Sequence, residues 1–238
     1  MRSAVHFLPI VTTLVSLAFS ATVYRRYRER GGLHLLWWSI GLATYAIGAG
    51  TESLTTLFGW PEFVFRAWYI TGALLGGAPL AQGSVYLHLA RRTADRLTIA
   101  LVSAIAFGSV CVLLSPIDYS LVEPFRPTGH VLVWHWVRLI SPFVNLYALV
   151  FLAGGAVASA VHYVRTRGPV ERVVGNVAIA LGAVLPGIGG TFTRFGHVEV
   201  LYVTELLGLL LIYAGYRASI SHPIVGRLHA GTHLTAIS

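Results

Sequence analysis

The chain has 238 residues, of which 55% are hydrophobic and only 11% charged, and its mean hydropathy is +0.71. The formal net charge is +8, and all 17 basic residues are arginine, with no lysine anywhere. That balance excludes an ordinary soluble domain, where about a quarter of residues are charged. The placement of the arginines in short segments between apolar stretches excludes a nucleic-acid binder.

A membrane-spanning helix needs roughly 20 apolar residues. Seven stretches reach that length. The first covers residues 5–24 and is followed at once by Arg25, Arg26, Arg28 and Arg30, a flank that opposes export and marks an uncleaved helix rather than a signal peptide. The second covers 33–54 and opens with Trp37 and Trp38; Trp60, Pro61 and Glu62 occupy the next loop. The third covers 64–90 and ends at Arg91 and Arg92. It holds a Gly72–Gly76 pair for close helix packing and Pro79, expected, like Pro186 in the sixth span, to bend its helix or free a carbonyl. The fourth covers 97–114 and includes the lone Cys111, so no internal disulfide and no cysteine-ligated metal site can form. After Pro116 comes the longest loop, with Asp118, Glu123, Arg126 and His130.

The fifth stretch, within 131–164, is too long for one perpendicular crossing, and Ser141–Pro142 divides it into a lead-in (131–140) and a span (143–164). Gly154 and Ala158 repeat the small-residue spacing there. The sixth covers 173–192, and its run Pro186-Gly-Ile-Gly-Gly190 is expected to thin or break the helix. The seventh covers 200–220. The expected fold is therefore all-α: one seven-transmembrane-helix bundle over residues 1–220 and a short polar tail at 221–238. An open sheet is excluded, because its edges find no partners in lipid.

The arginines assign the sides. Twelve fall in the segments after the first, third, fifth and seventh spans, and only Arg2, Arg66, Arg126, Arg138 and Arg194 fall opposite. The second side also holds Glu52, Glu62, Asp118, Glu123, Glu199 and Glu205. The positive-inside rule then predicts an outside N-terminus and a cytoplasmic C-terminus in a bacterial inner membrane.

Ionisable groups at membrane depth are candidates for function. Glu205, Glu52, Arg66, Arg138 and His135 all belong to the outer half. Glu52–Arg66 and Glu205–Arg138 pairs are feasible. Two readings stay open: an ion-pair network that fixes helix order, or an outward-facing polar pocket that binds a ligand or passes protons. Gln82, Asn145 and Asn176 fit inter-helical hydrogen bonds. His34, His88, His162 and His222 share the cytoplasmic side and are weak candidates for a metal or haem site. His229 and His233 are spaced for a helix face, but Gly231 stands between them. The six tryptophans, including Trp68, Trp134 and Trp136, fit interfacial belts. A retinal Schiff base is excluded, because it requires a lysine. No GxSxG elbow occurs.

Residues 37–54 read W-W-S-I-G-L-A-T-Y-A-I-G-A-G-T-E-S-L, and residues 65–87 read F-R-A-W-Y-I-T-G-A-L-L-G-G-A-P-L-A-Q-G-S-V-Y-L. A Trp-rich second span ending in Glu, then R-x-W-Y and a central Gly/Pro, resembles the seven-helix sensor region of some bacterial histidine kinases. The resemblance covers about a quarter of the chain and implies an input module. It carries over the positions Glu52 and Arg66 without a role for either. No kinase domain follows residue 220, so a signal needs a separate membrane or cytoplasmic partner.

The sequence thus points to a non-catalytic sensor, ligand-binding module or membrane subunit. Its partners are the lipid bilayer and a small or lipophilic ligand, and no nucleic acid; no motif specifies a cofactor. The alternatives are a proton-coupled transporter or channel using Glu52 and Glu205, and a membrane enzyme using the cytoplasmic histidines.

Overall fold

The computed structural model describes residues 4–193 and 195–220. Among them the helices are α1 (Leu8–Arg30), α2 (Leu33–Phe58), α3 (Glu62–Trp68), α4 (Ala78–His88), α5 (Arg91–Leu114), α6 (Ile140–Ala148), α7 (Gly154–Arg165), α8 (Val170–Thr193) and α9 (Val198–Ile220). A π-turn at Tyr69–Leu74 carries α3 towards α4, and another at Leu149–Ala153 joins α6 to α7. The described residues therefore form seven rods.

Contacts fix their directions. The Ser16 hydroxyl donates to Leu42 O at 2.7 Å and Ser20 to Ser39 O at 2.8 Å, so α1 and α2 run antiparallel. Phe19 packs edge-on against Tyr213, and His6 lies near Tyr202, so α1 and α9 are parallel neighbours and close the bundle. Gln82 on α4 donates to Ala94 O and Thr98 Oγ1 on α5 and accepts from Tyr147 on α6. One amide thereby ties three rods. Alternation gathers the arginine-rich turns at one end of the bundle and the acidic loops at the other.

Two proline expectations change. The third rod breaks at Gly76, whose φ of +46° suits a residue without a side chain. Pro79 stands in the first turn of α4, where its missing N–H removes no helical bond. Asn145 fills the notch and donates to Ala73 O at 3.1 Å, satisfying a carbonyl at the break. The sixth rod, by contrast, stays helical through Pro186–Gly190. Its Gly182 meets α9 backbone to backbone: a methyl group there would lie 2.5 Å from Gly208 O. Packing against α9 holds the helix where local propensity alone favours a break. In the fifth rod the lead-in is a 3-10 segment, His135–Leu139, and α6 begins at Ile140, with Pro142 in its first turn.

Five helical segments are long and apolar enough to cross a membrane: Val5–Arg30, Arg91–Leu114, His135–Arg165, Val170–Thr193 and Val198–Ile220. This is the character of a multi-pass membrane protein. Outward-facing Leu14, Ile99, Phe107, Phe143 and Leu181 are exposed, as lipid contact requires. The second and third rods are not among the five. The third is divided at Gly76. The second is central and turns polar side chains inward, with Thr51, Glu52, Ser53, Thr55 and Thr56 all buried.

Candidate functional site

A cavity of about 240 Å³ opens at the arginine-rich end, between α1, α2, α4, α7, α8 and α9. That is close to the lower end of the roughly 300–1,000 Å³ usual for small-molecule sites. The lining runs from His34, at the start of α2, to Leu42, eight residues deeper; at 1.5 Å per residue this is a depth of about 12 Å. The inner wall is apolar, with Phe19, Leu42, Leu152 and Ile212. The mouth carries Arg26, His34, His88 and Arg172, and among the described residues no Asp or Glu lines the cavity.

Each polar group at the mouth has a visible cause for its position. Arg172, in the first turn of α8, sets its guanidinium 5.4 Å from the Tyr163 ring centre and donates through Nη1 to the Tyr163 hydroxyl at 3.2 Å. Its Nε is buried and has no hydrogen-bond partner. The Tyr216 hydroxyl is likewise buried without a bond of normal geometry, although the Arg26 guanidinium lies beside it. His88 is held from both sides: Nδ1 lies 2.8 Å from Ser84 O and Nε2 2.7 Å from Ser159 Oγ. Trp38 stands edge-on to His34. Sequence reasoning missed this site because the cavity forms only when six rods meet. Of its lining the sequence singled out His34 and His88, as weak metal or haem candidates, but not Arg26 or Arg172.

The acidic end brings together a different subset of the candidates. Glu52 is 4% exposed and feels the charge of Glu205 across the α2–α9 contact. Tyr45 donates to the backbone carbonyl of Glu205 at 3.3 Å, and Tyr202 and Thr56 complete the cluster. Among the described residues neither carboxylate forms an ion pair.

The feasible pairs with Arg66 and Arg138 are not made. Arg66 bonds Glu62, one turn earlier in α3, at 2.6 Å. It also donates to Val112 O and, at 3.0 Å, to Ser115 O, capping the carbonyl end of α5. Local geometry explains the choice: a partner four residues away on one helix is always within reach. Arg138 points at the His130 ring, 3.2 Å from Nδ1. His135 is exposed and lies near Asp118.

Outside the spans, hydrogen bonds from Tyr119 and then Arg66 hold the Glu62 carboxyl below the usual carboxylate range. Bonds from the Ser120 hydroxyl and amide do the same for Asp118. Burial, then the charges of Arg138 and Arg126, push His130 below the usual imidazole value.

Two of the described histidines at the arginine-rich end share the cavity and one does not. His34 and His88 reach the cavity, His162 is exposed on α7, and His222, like His229 and His233, lies outside the described residues. Among the described residues no three His, Cys, Asp or Glu side chains are grouped to hold a metal. No family model, no curated protein and no solved structure matches the chain.

Proposed function

We propose that the protein is a seven-crossing membrane protein of a bacterial inner membrane that binds a small ligand inside its bundle, as a sensor module or a membrane subunit, without catalysing a reaction. The alternating rod directions support seven crossings. The arginine bias supports an outside N-terminus and a cytoplasmic C-terminus. The observation that carries the ligand-binding reading is the cavity at the arginine-rich end, with apolar walls and a few polar groups at its mouth. On this topology it faces the cytoplasm. The layout shared with histidine-kinase sensor regions supports an input role, with ligand contacts biasing the rods around the Gly76 break.

The test is extraction of the purified protein followed by mass spectrometry, for the wild type and for Ala156→Phe, which fills the cavity wall. A small molecule held near stoichiometrically by the wild type and lost from the variant supports the reading. Equal retention by both refutes this cavity as the site.

A second reading, proton-coupled transport, is favoured by the Glu52–Glu205 approach without a basic partner among the described residues. Proton flux in liposomes that disappears in Glu205→Gln would establish it. Flux unchanged by that substitution, or absent from the wild type, would remove it.

A further inference from the structure

The ligand class follows from the chemistry of the cavity mouth, and this inference rests on the ligand-binding reading above. We propose that the cavity takes an amphiphile with an anionic head, a carboxylate or phosphate, and an apolar tail. Arg172 and Arg26 hold the head, and the Phe19, Leu42, Leu152 and Ile212 wall receives the tail.

The sign of the site is the first argument. Among the described residues two guanidinium groups and two imidazoles line it, and no carboxylate does. Both guanidinium groups are half-buried, and among the described residues no acid forms an ion pair with Arg26 or Arg172. The second argument is the state of the donors. A guanidinium has five N–H groups. Arg172 shows one bond, to Tyr163, while its Nε is enclosed and unpartnered. The Tyr216 hydroxyl is enclosed in the same cavity, with the Arg26 guanidinium beside it but, among the described residues, no hydrogen bond of normal geometry. Buried polar groups are rarely left so, and an oxyanion bridging Arg172 and Tyr216 would accept from both. The planar fork of arginine suits carboxylate and phosphate alike. The third argument is depth: the lining reaches about 12 Å inward from His34 to Leu42, and its deep end is apolar. A bare inorganic anion would leave that wall uncovered.

Laurate, methyl laurate and inorganic phosphate are titrated into the full chain in a neutral detergent, with the fluorescence of Trp38 in the cavity wall as readout and Trp38→Phe as the blank. Laurate is expected to bind at least tenfold more tightly than its methyl ester, and phosphate not to saturate. Arg172→Gln and Tyr216→Phe are expected to weaken laurate about tenfold and a few-fold, leaving the ester unchanged. The ester comparison uses the wild-type chain, so it stands even where a variant folds poorly. Phosphatidylglycerol that competes with laurate identifies a membrane lipid as the source, and failure to compete identifies a free amphiphile; both support the class.

Equal binding of laurate and its ester overturns the anionic head and leaves ligand binding in place. Phosphate binding as tight as laurate overturns the tail. Binding of none of the three overturns both the class and the ligand-binding reading of this cavity.

Discussion

Gly182→Ala tests the packing of α8 on α9 with a single methyl group. The added carbon would sit 2.5 Å from Gly208 O, 2.9 Å from Ile212 Cγ1 and 3.1 Å from Ile212 N. Ordinary contact begins near 3.4 Å, so the two backbones must part by about 0.9 Å. The nearest atom is backbone, which cannot rotate away. Overpacking of this kind costs about 1–3 kcal/mol, with the upper part expected here. The better helix propensity of alanine returns about 1 kcal/mol, leaving a net loss of roughly 1–2 kcal/mol. Gly187→Ala is the internal control. It makes the same chemical change five residues along the same helix, where a methyl group meets nothing within 4 Å. It should be neutral or stabilise by up to about 1 kcal/mol. The two variants should therefore differ by more than tenfold in folded-to-unfolded ratio, since about 1.4 kcal/mol corresponds to a factor of ten. Unfolding in mixed micelles, followed by helical circular dichroism, measures the difference. Equal stability of the two variants would refute the close α8–α9 approach.

Arg66→Gln should destabilise the protein by roughly 2–3 kcal/mol, because it removes charged hydrogen bonds to Glu62 and to two α5 carbonyls; Arg66→Lys, which keeps the charge but not the fork, should lose about half as much in a melting experiment. The Glu62 carboxyl, held low in the folded state, contributes stability that is present above the usual carboxylate range and lost as pH falls through its lower folded value. Tyr119→Phe removes the larger cause, so the fall in melting temperature on acidification should shrink; an unchanged acid dependence contradicts the assignment. Glu52→Gln should leave the melting temperature at neutral pH equal or higher, because no described basic group pairs with this buried carboxyl. A loss as large as that of Arg66→Gln would reveal a basic partner.

Rod identity was legible from composition, because long apolar stretches between arginine-rich turns leave few alternatives to helix. Rod interiors were less so. Pro79 was expected to bend its helix or free a carbonyl and the Pro186–Gly190 run to thin or break its own, yet Pro79 stands at a helix start and Pro186 inside an unbroken helix. A proline's effect depends on which neighbour meets its turn, and that neighbour is distant in sequence. Gly175 and Gly182 on α8 meet Gly215 and Gly208 on α9, both pairs seven residues apart, a spacing the sequence reading did not use. The acidic residues were legible as a set at one end, but not their partners. A pair between Arg66 and Glu52 was feasible from depth alone, but Glu62 stands one turn away and takes it. Of the cavity only His34 and His88 were legible, as candidates sharing one end; the cavity itself is a shortfall of side-chain volume among six rods, and no local pattern encodes that.

The adjacency of α1 and α9 bears on how the molecule is assembled in the membrane. Rods far apart in the chain become neighbours, and Glu52 and Thr56 of α2 meet Glu205 and Tyr202 only when the seventh rod arrives. Until then Glu52, Thr55 and Thr56 have only earlier rods to turn towards, and a carboxyl in contact with hydrocarbon is costly. Insertion of α9 is therefore the step that commits the whole bundle, and a chain stopped before residue 198 should be an early substrate for membrane proteolysis.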